Sequence, residues 1–115
     1  MLPKKNRLTK EKDFNRIHKF GSFAGEFFLA IKFQRNNLEV SRFGFLVGTK
    51  ISKKAVERNL VKRRLRESIH LKLNNIKPGY DIIFLTKPEI VGKSYEEIDK
   101  AVENVLRKAI LFLKR

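Results

Sequence analysis

A chain of 115 residues has room for one compact domain with one core and none for a separate catalytic domain. Its 27 Lys and Arg against 12 Asp and Glu give a formal charge of +15, a self-repulsion that points to a polyanion as the normal partner. The absence of Cys excludes disulfide and thiolate–metal frameworks. Residues 1–10 carry charge with no apolar stretch behind them, and no run approaches the roughly eighteen apolar residues of a membrane span, so a soluble cytoplasmic protein is expected.

In chain order, Thr9 is placed to cap a helix over residues 10–19, with Glu11 and Asp13 in its first turn and Gly21 as a stop. Residues 27–34 alternate, with Phe27, Leu29, Ile31 and Phe33 on one face and Phe28, Ala30, Lys32 and Gln34 on the other, which predicts a strand. Asn36-Asn37 reads as a turn into a second strand at 40–48, where Phe43, Phe45 and Val47 share a side, and these two strands are expected to pair as a hairpin. Ser52 is placed to cap a long basic helix over 53–73, which ends at Asn74-Asn75 and the Pro78-Gly79 turn. Residues 80–86 are apolar on both faces and so predict a central strand. Ser94 and Glu97 form a capping box for a last helix with Ile98, Val102, Val105, Ala109 and Phe112 along one stripe. The residue pattern alone reads α-β-β-α-β-α with no repeat or linker, one α/β sandwich domain.

The basic helix carries the strongest functional signal. Between Lys50 and Arg66 there are eight positive residues and one acid, Glu57, while Val61, Leu65 and Ile69 at i, i+4 and i+8 supply a face to bury. Asn59, Lys62, Arg63, Arg66 and His70 form a separate stripe. Arg can hold a phosphate through two parallel hydrogen bonds, and an Asn amide can meet a base edge or a 2′-hydroxyl. The bland alternative is a solvated helix face, but such faces are mixed in sign, and this stripe holds no acid. Nucleic acid is the partner this imbalance favours.

Smaller candidates are weaker. Phe14 and His18 lie one helical turn apart, and by composition alone Phe14 reads as core and His18 as rim. Phe27, Phe33, Phe43 and Phe45 are assigned to buried strand faces. A nuclease acting alone needs paired His or metal-binding carboxylates, whereas His18 and His70 are the only His and the acids are scattered among Lys. Neither a catalytic residue nor a protein-held metal is therefore expected. Two rivals share the charge: a ribosomal or other structural RNA-binding protein, and a membrane-surface module, which would need an exposed apolar helix face.

The run from Ala55 to Glu67 contains the spacing R-N-x-x-K-R-x-x-R-E and resembles the arginine-rich signature of the protein subunit of bacterial ribonuclease P. Arg7-Leu8, Asp13-Phe14, Ser41-Arg42-Phe43-Gly44 and Gly79-Tyr80-Asp81-Ile82 extend the resemblance over nearly the whole chain. It implies a single RNA-binding domain, residues 1–115, as an α+β two-layer sandwich of order αβββαβα with a left-handed βαβ crossover. That is one strand more than the residue pattern suggests. It further implies a cofactor of a catalytic RNA that removes the 5′ leader of precursor tRNA, with Mg²⁺ at the RNA active site and no small-molecule substrate. Carried over by position, Lys50, Lys53, Lys54, Arg58, Asn59, Lys62, Arg63 and Arg66 would bind the catalytic RNA. Phe14, His18, Phe28 and Lys32 would line the leader cleft. Lys53 stands where the family often has Gly, and His18 and Lys32 stand where aromatic residues are common, with Phe28 assigned to supply the missing ring.

Overall fold

The computed structural model of the protein describes residues 2–113. Among them the order is α1 (Glu11–Phe20), β1 (Ser22–Glu26), β2 (Leu29–Arg35), β3 (Arg42–Leu46), α2 (Ala55–Lys72), β4 (Tyr80–Thr86) and α3 (Tyr95–Lys108), with short 3-10 turns at Lys4–Asn6, Leu73–Asn75 and Pro88–Ile90. This αβββαβα order contains the strand that the residue pattern lacked: β1, five residues long, pairs antiparallel with β2.

The four strands lie in the order β1-β2-β4-β3, so β2 and β3 do not form the expected hairpin. β4 lies between them, antiparallel to β2 and parallel to β3. The cause is in β4 itself. Ile82, Ile83 and Phe84 are all inaccessible to solvent, and a strand apolar on both faces buries them only where helices cover both sides of the sheet. The Asn36-Asn37 turn does form: Asn37 takes φ 60°, and the Asn36 Oδ1 accepts from the Leu38 N–H at 2.8 Å. It turns the chain past β4 instead of back along β2, and Ser41 secures the far end, donating to the Lys77 carbonyl and accepting from the Tyr80 N–H.

The main core fills the space between one sheet face and the pair α2 and α3. It contains Leu29, Ile31, Phe43, Ile82 and Phe84 from the sheet, Val61, Leu65 and Ile69 from α2, and Ile98, Val102 and Val105 from α3. Ala109 and Phe112 continue the α3 stripe past the end of the helix and still pack on this core. A smaller cluster, Leu8, Ile17 and Ile83 with Phe14 and Leu85 against it, seats α1 on the opposite face.

Helix ends follow the expectations only in part. Ser94 and Glu97 close a capping box on α3, each side chain accepting from the other's backbone N–H, at 3.1 and 3.0 Å. Thr9 and Ser52 do not cap; Lys10 and Lys54 occupy those positions without a side-chain bond. The Ser52 hydroxyl accepts from the Lys54 N–H and donates to Glu57, so it shapes the loop before the helix. Phe27 is no strand residue. It sits at φ 23° in the β1–β2 turn, 85% exposed, because β2 begins only at Leu29.

Candidate nucleic-acid interface

Burial of Val61, Leu65 and Ile69 orients α2, so its remaining faces are set by the 3.6-residue repeat. Asn59, Arg63, Arg66 and His70 are exposed and Lys62 half-buried; none has a side-chain hydrogen bond or ion pair among the described residues. Lys50, Lys53 and Lys54 are exposed in the loop that leads into the helix. Two other arginines are engaged structurally. Arg58 donates to the Ser52 carbonyl at 2.9 Å and pins that loop, and Arg64 donates to the Lys93 carbonyl at 2.5 Å and ties α2 to the start of α3. Of the expected RNA-contacting group, Arg58 is therefore partly committed within the fold, while the others stand open to solvent.

Arg66 belongs to two depressions. One, on the outer face of α2, is lined by Arg63, Arg66, Glu67, His70 and Leu71. The other is a groove of about 360 Å³ where Arg66 meets Arg7, Leu8, Phe14, Gly44 and Phe45. Phe14 lies directly on Gly44: a Cβ added there would stand 2.5 Å from the Phe14 Cζ. The ring is thus half core and half groove wall, resting on a strand position that only Gly leaves clear.

α1 crosses the sheet. Phe14 is over Gly44 of β3, Ile17 is clustered with Ile83 of β4, and the Lys32 ammonium of β2 donates to the His18 carbonyl at 3.2 Å. Phe14, His18 and Lys32 are therefore brought to one face. Phe28 is not. It packs on the main core from the other side, with Lys93 5.5 Å from its ring centroid, because the alternation that assigned it to the Lys32 face begins only at Leu29. The strand residue that brings an aromatic ring to the Lys32 face is Phe23, directly opposite Lys32 in the β1–β2 register and 63% exposed. Sequence reasoning missed it with β1.

A buried ion network holds α1 in this position. The Asp81 carboxylate, fully inaccessible, accepts two hydrogen bonds from Arg42 at 2.8 and 2.7 Å, one from Arg16 at 2.7 Å and one from Asn36 at 2.9 Å. Arg16 also donates to Gln34, and Asp13 stands within ion-pair distance of both arginines. Burial pushes the Asp81 pKa up, but the hydrogen bonds from Arg42, Asn36 and Arg16 outweigh it and leave the carboxyl below its ordinary range. The same hydrogen bond, opposed by burial, raises Arg42. On the other side of the sheet, Asp99 accepts from Lys72 and from Ser68, which joins α2 to α3 and likewise lowers the Asp99 pKa against the effect of burial.

Among the described residues no three His, Cys, Asp or Glu side chains gather so as to hold a metal ion, and no helix is long and apolar enough to cross a membrane. The surface offers cations, an amide and aromatic edges, groups that bind phosphate and bases.

The family model described as Ribonuclease P matches residues 2–110. The chain is 33% identical over 112 residues to the ribonuclease P protein component of Caldanaerobacter subterraneus subsp. tengcongensis, covering 97% of this chain and 96% of that protein. Its fold is similar to that of a Staphylococcus aureus RNase P protein mutant, with a TM-score of 0.89 and 29% identity over 95% of this chain and 92% of the other. It is also similar to the RNase P protein from Thermotoga maritima, with a TM-score of 0.82 and 26% identity over 89% and 96%.

Proposed function

The chain belongs to the ribonuclease P protein family, and from that footing we propose that it is the protein cofactor of a cytoplasmic ribonucleoprotein that removes the 5′ leader of precursor tRNA. The single observation that carries this reading is Arg66, shared between the basic face of α2 and the Phe14 groove, which links a surface suited to phosphate to an aromatic one. The α2 face, with Lys50, Lys53, Lys54, Asn59, Lys62, Arg63 and Arg66, docks on the catalytic RNA. Its cations replace the counterions of the RNA backbone, so the affinity falls steeply with salt.

The face made by Phe14, His18 and Lys32 takes the single-stranded leader, a ring stacking on a base and the ammonium holding a phosphate. The half of Phe14 that faces the groove is the part available for this contact. Arg58 acts mainly by fixing the loop that presents Lys53 and Lys54, given its bond to the Ser52 carbonyl. Hydrolysis of the phosphodiester belongs to the RNA. The Mg²⁺ this chemistry uses would be held by RNA phosphates, its usual hard-oxygen ligands.

Cleavage of precursor tRNA by the matching catalytic RNA at low Mg²⁺, with and without the protein, tests the reading. The protein should raise the rate and the preference for leader-bearing over mature tRNA. No improvement would leave a structural RNA-binding protein as the better account. Replacing Phe14 and Lys32 by Ala should spare assembly and reduce the leader preference, whereas equal losses on both RNAs would move the leader contact elsewhere.

A further inference from the structure

The register of the sheet lays out its α1-facing side in rows. One row is Phe23, Lys32, Ile83 and Gly44, which α1 crosses. The next is Gly25, Ala30, Leu85 and Leu46, a floor of small and aliphatic side chains beside the helix. At the β1 end of this floor the Phe23 ring leans over Gly25, whose added Cβ would stand 3.2 Å from Phe23 Cε1. Phe27 rises from the β1–β2 turn to complete a pocket lined by Phe23, Gly25, Ala30, Phe27, Lys87 and Lys108, among others.

Two features single this pocket out. Both rings are largely in water, 63% for Phe23 and 85% for Phe27, and neither belongs to a core cluster. Phe27 moreover holds a left-handed φ of 23°, a conformation that costs a non-glycine residue on the order of 1 kcal/mol and that packing here does not offset. The second feature is charge. Glu26, the acid at the pocket, is tied to the Lys108 ammonium at 2.8 Å, while Lys87 is exposed with no side-chain partner among the described residues, and Lys32 adjoins Phe23. The pocket is therefore aromatic and net positive.

We propose that Phe23 and Phe27 form a base-stacking pocket for single-stranded RNA at the β1 edge, with Lys87 taking the adjoining phosphate. It rests on the leader reading above and extends it: Phe23 lies three strand spacings from the Phe14 position on β3, on the order of 14 Å. The pocket thus receives leader nucleotides farther from the cleavage site. A second copy of this chain pairing along the open β1 edge is the competing occupant, and a charge of +15 on each copy opposes it.

The test uses the holoenzyme assembled from the matching catalytic RNA and three substrates: a full leader, a leader cut back to the nucleotides next to the cleavage site, and mature tRNA. The double variant Phe23→Ala/Phe27→Ala should lose affinity for the full leader on the order of tenfold, the loss of about one stacked base, and leave the other two unchanged. Phe23→Tyr/Phe27→Tyr should bind as the wild type does. Unchanged affinity for the full leader, or an equal loss on all three substrates, overturns the proposal. So does sedimentation in which the free wild-type protein dimerises and the Ala variant does not. If Phe14→Ala lowers the leader preference and the double variant does not, this pocket lies off the leader path and the main reading stands. If neither variant changes it, the leader reading falls and this proposal with it.

Discussion

Asp81 is the residue on which the placement of α1 depends. Its carboxylate is fully buried and accepts four hydrogen bonds, three of them from guanidinium groups. Its folded-state pKa lies below the unfolded value of about 3.9, so the charged group stabilises the fold above that pH and the contribution is lost as pH falls through the folded pKa. Asp81→Asn should cost about 3 kcal/mol at neutral pH, the lower part of the range for a broken buried pair, because Arg16 and Arg42 keep part of their surface in water. Urea unfolding followed against pH should show the wild type weakening steeply below about pH 4. The variant should show a shallower decline there, the remainder coming from Asp99 and Glu97. A cost that did not diminish in acid would deny Asp81 this role. Gly44 is a second such residue. Gly44→Ala must displace the Phe14 ring and should cost about 1 kcal/mol or more as overpacking. Leader preference should fall while RNA assembly holds, a pairing that cleavage and binding assays on the one variant would separate.

At the scale of elements, α2 turns one face to the core and leaves a second, basic face open to solvent. Replacing Arg63 and Arg66 by Ala should weaken assembly with the catalytic RNA and reduce the salt slope by roughly one contact per residue, with the fold unchanged. Arg64→Ala is the contrasting case. It removes the bond to the Lys93 carbonyl, so stability should drop by about 1 kcal/mol with the slope unaltered. Equal slopes for all variants would separate the docking surface from this stripe. The long periodic segments were legible in the chain: α2, α3 and β4 lie where their apolar spacing puts them, and β4 is central as its two apolar faces require. β1 was not, because Ser22–Glu26 has no sustained alternation and owes its strand state to pairing with β2. The hairpin expectation failed for a related reason, since pairing follows the burial of β4, almost forty positions downstream of β3. In the site, a tally of cations was enough to find the basic face. Phe23 was lost with its strand, Phe28 was misplaced by carrying alternation through a turn, and the Asp81 network joins residues separated by 39 and 65 positions, which no local pattern reveals.

For the molecule as a whole, the distribution of acids matters as much as the net charge. Asp13, Glu26, Asp81, Glu97, Asp99 and Glu103, half of the twelve acids, form ion pairs within the fold, and none of these six lies on α2. The free protein should melt at a higher temperature when salt screens its charge of +15. Added RNA at low salt should raise the melting point further, and salt should erase that gain. Thermal melts across salt, with and without RNA, check both trends; an RNA effect indifferent to salt would speak against phosphate docking. The strand order has one more consequence, in the order of synthesis. β4 joins β2 to β3, yet the ribosome makes it after both, and after α2. Until residues 80–86 emerge, β1 and β2 have only each other, β3 has no strand to accept it, and Val61, Leu65 and Ile69 have only part of their core to enter. A nascent chain halted between α2 and β4 is therefore an open, strongly cationic polymer beside ribosomal RNA, and its core closes only when β4 enters the sheet and α3 follows with Ile98, Val102 and Val105.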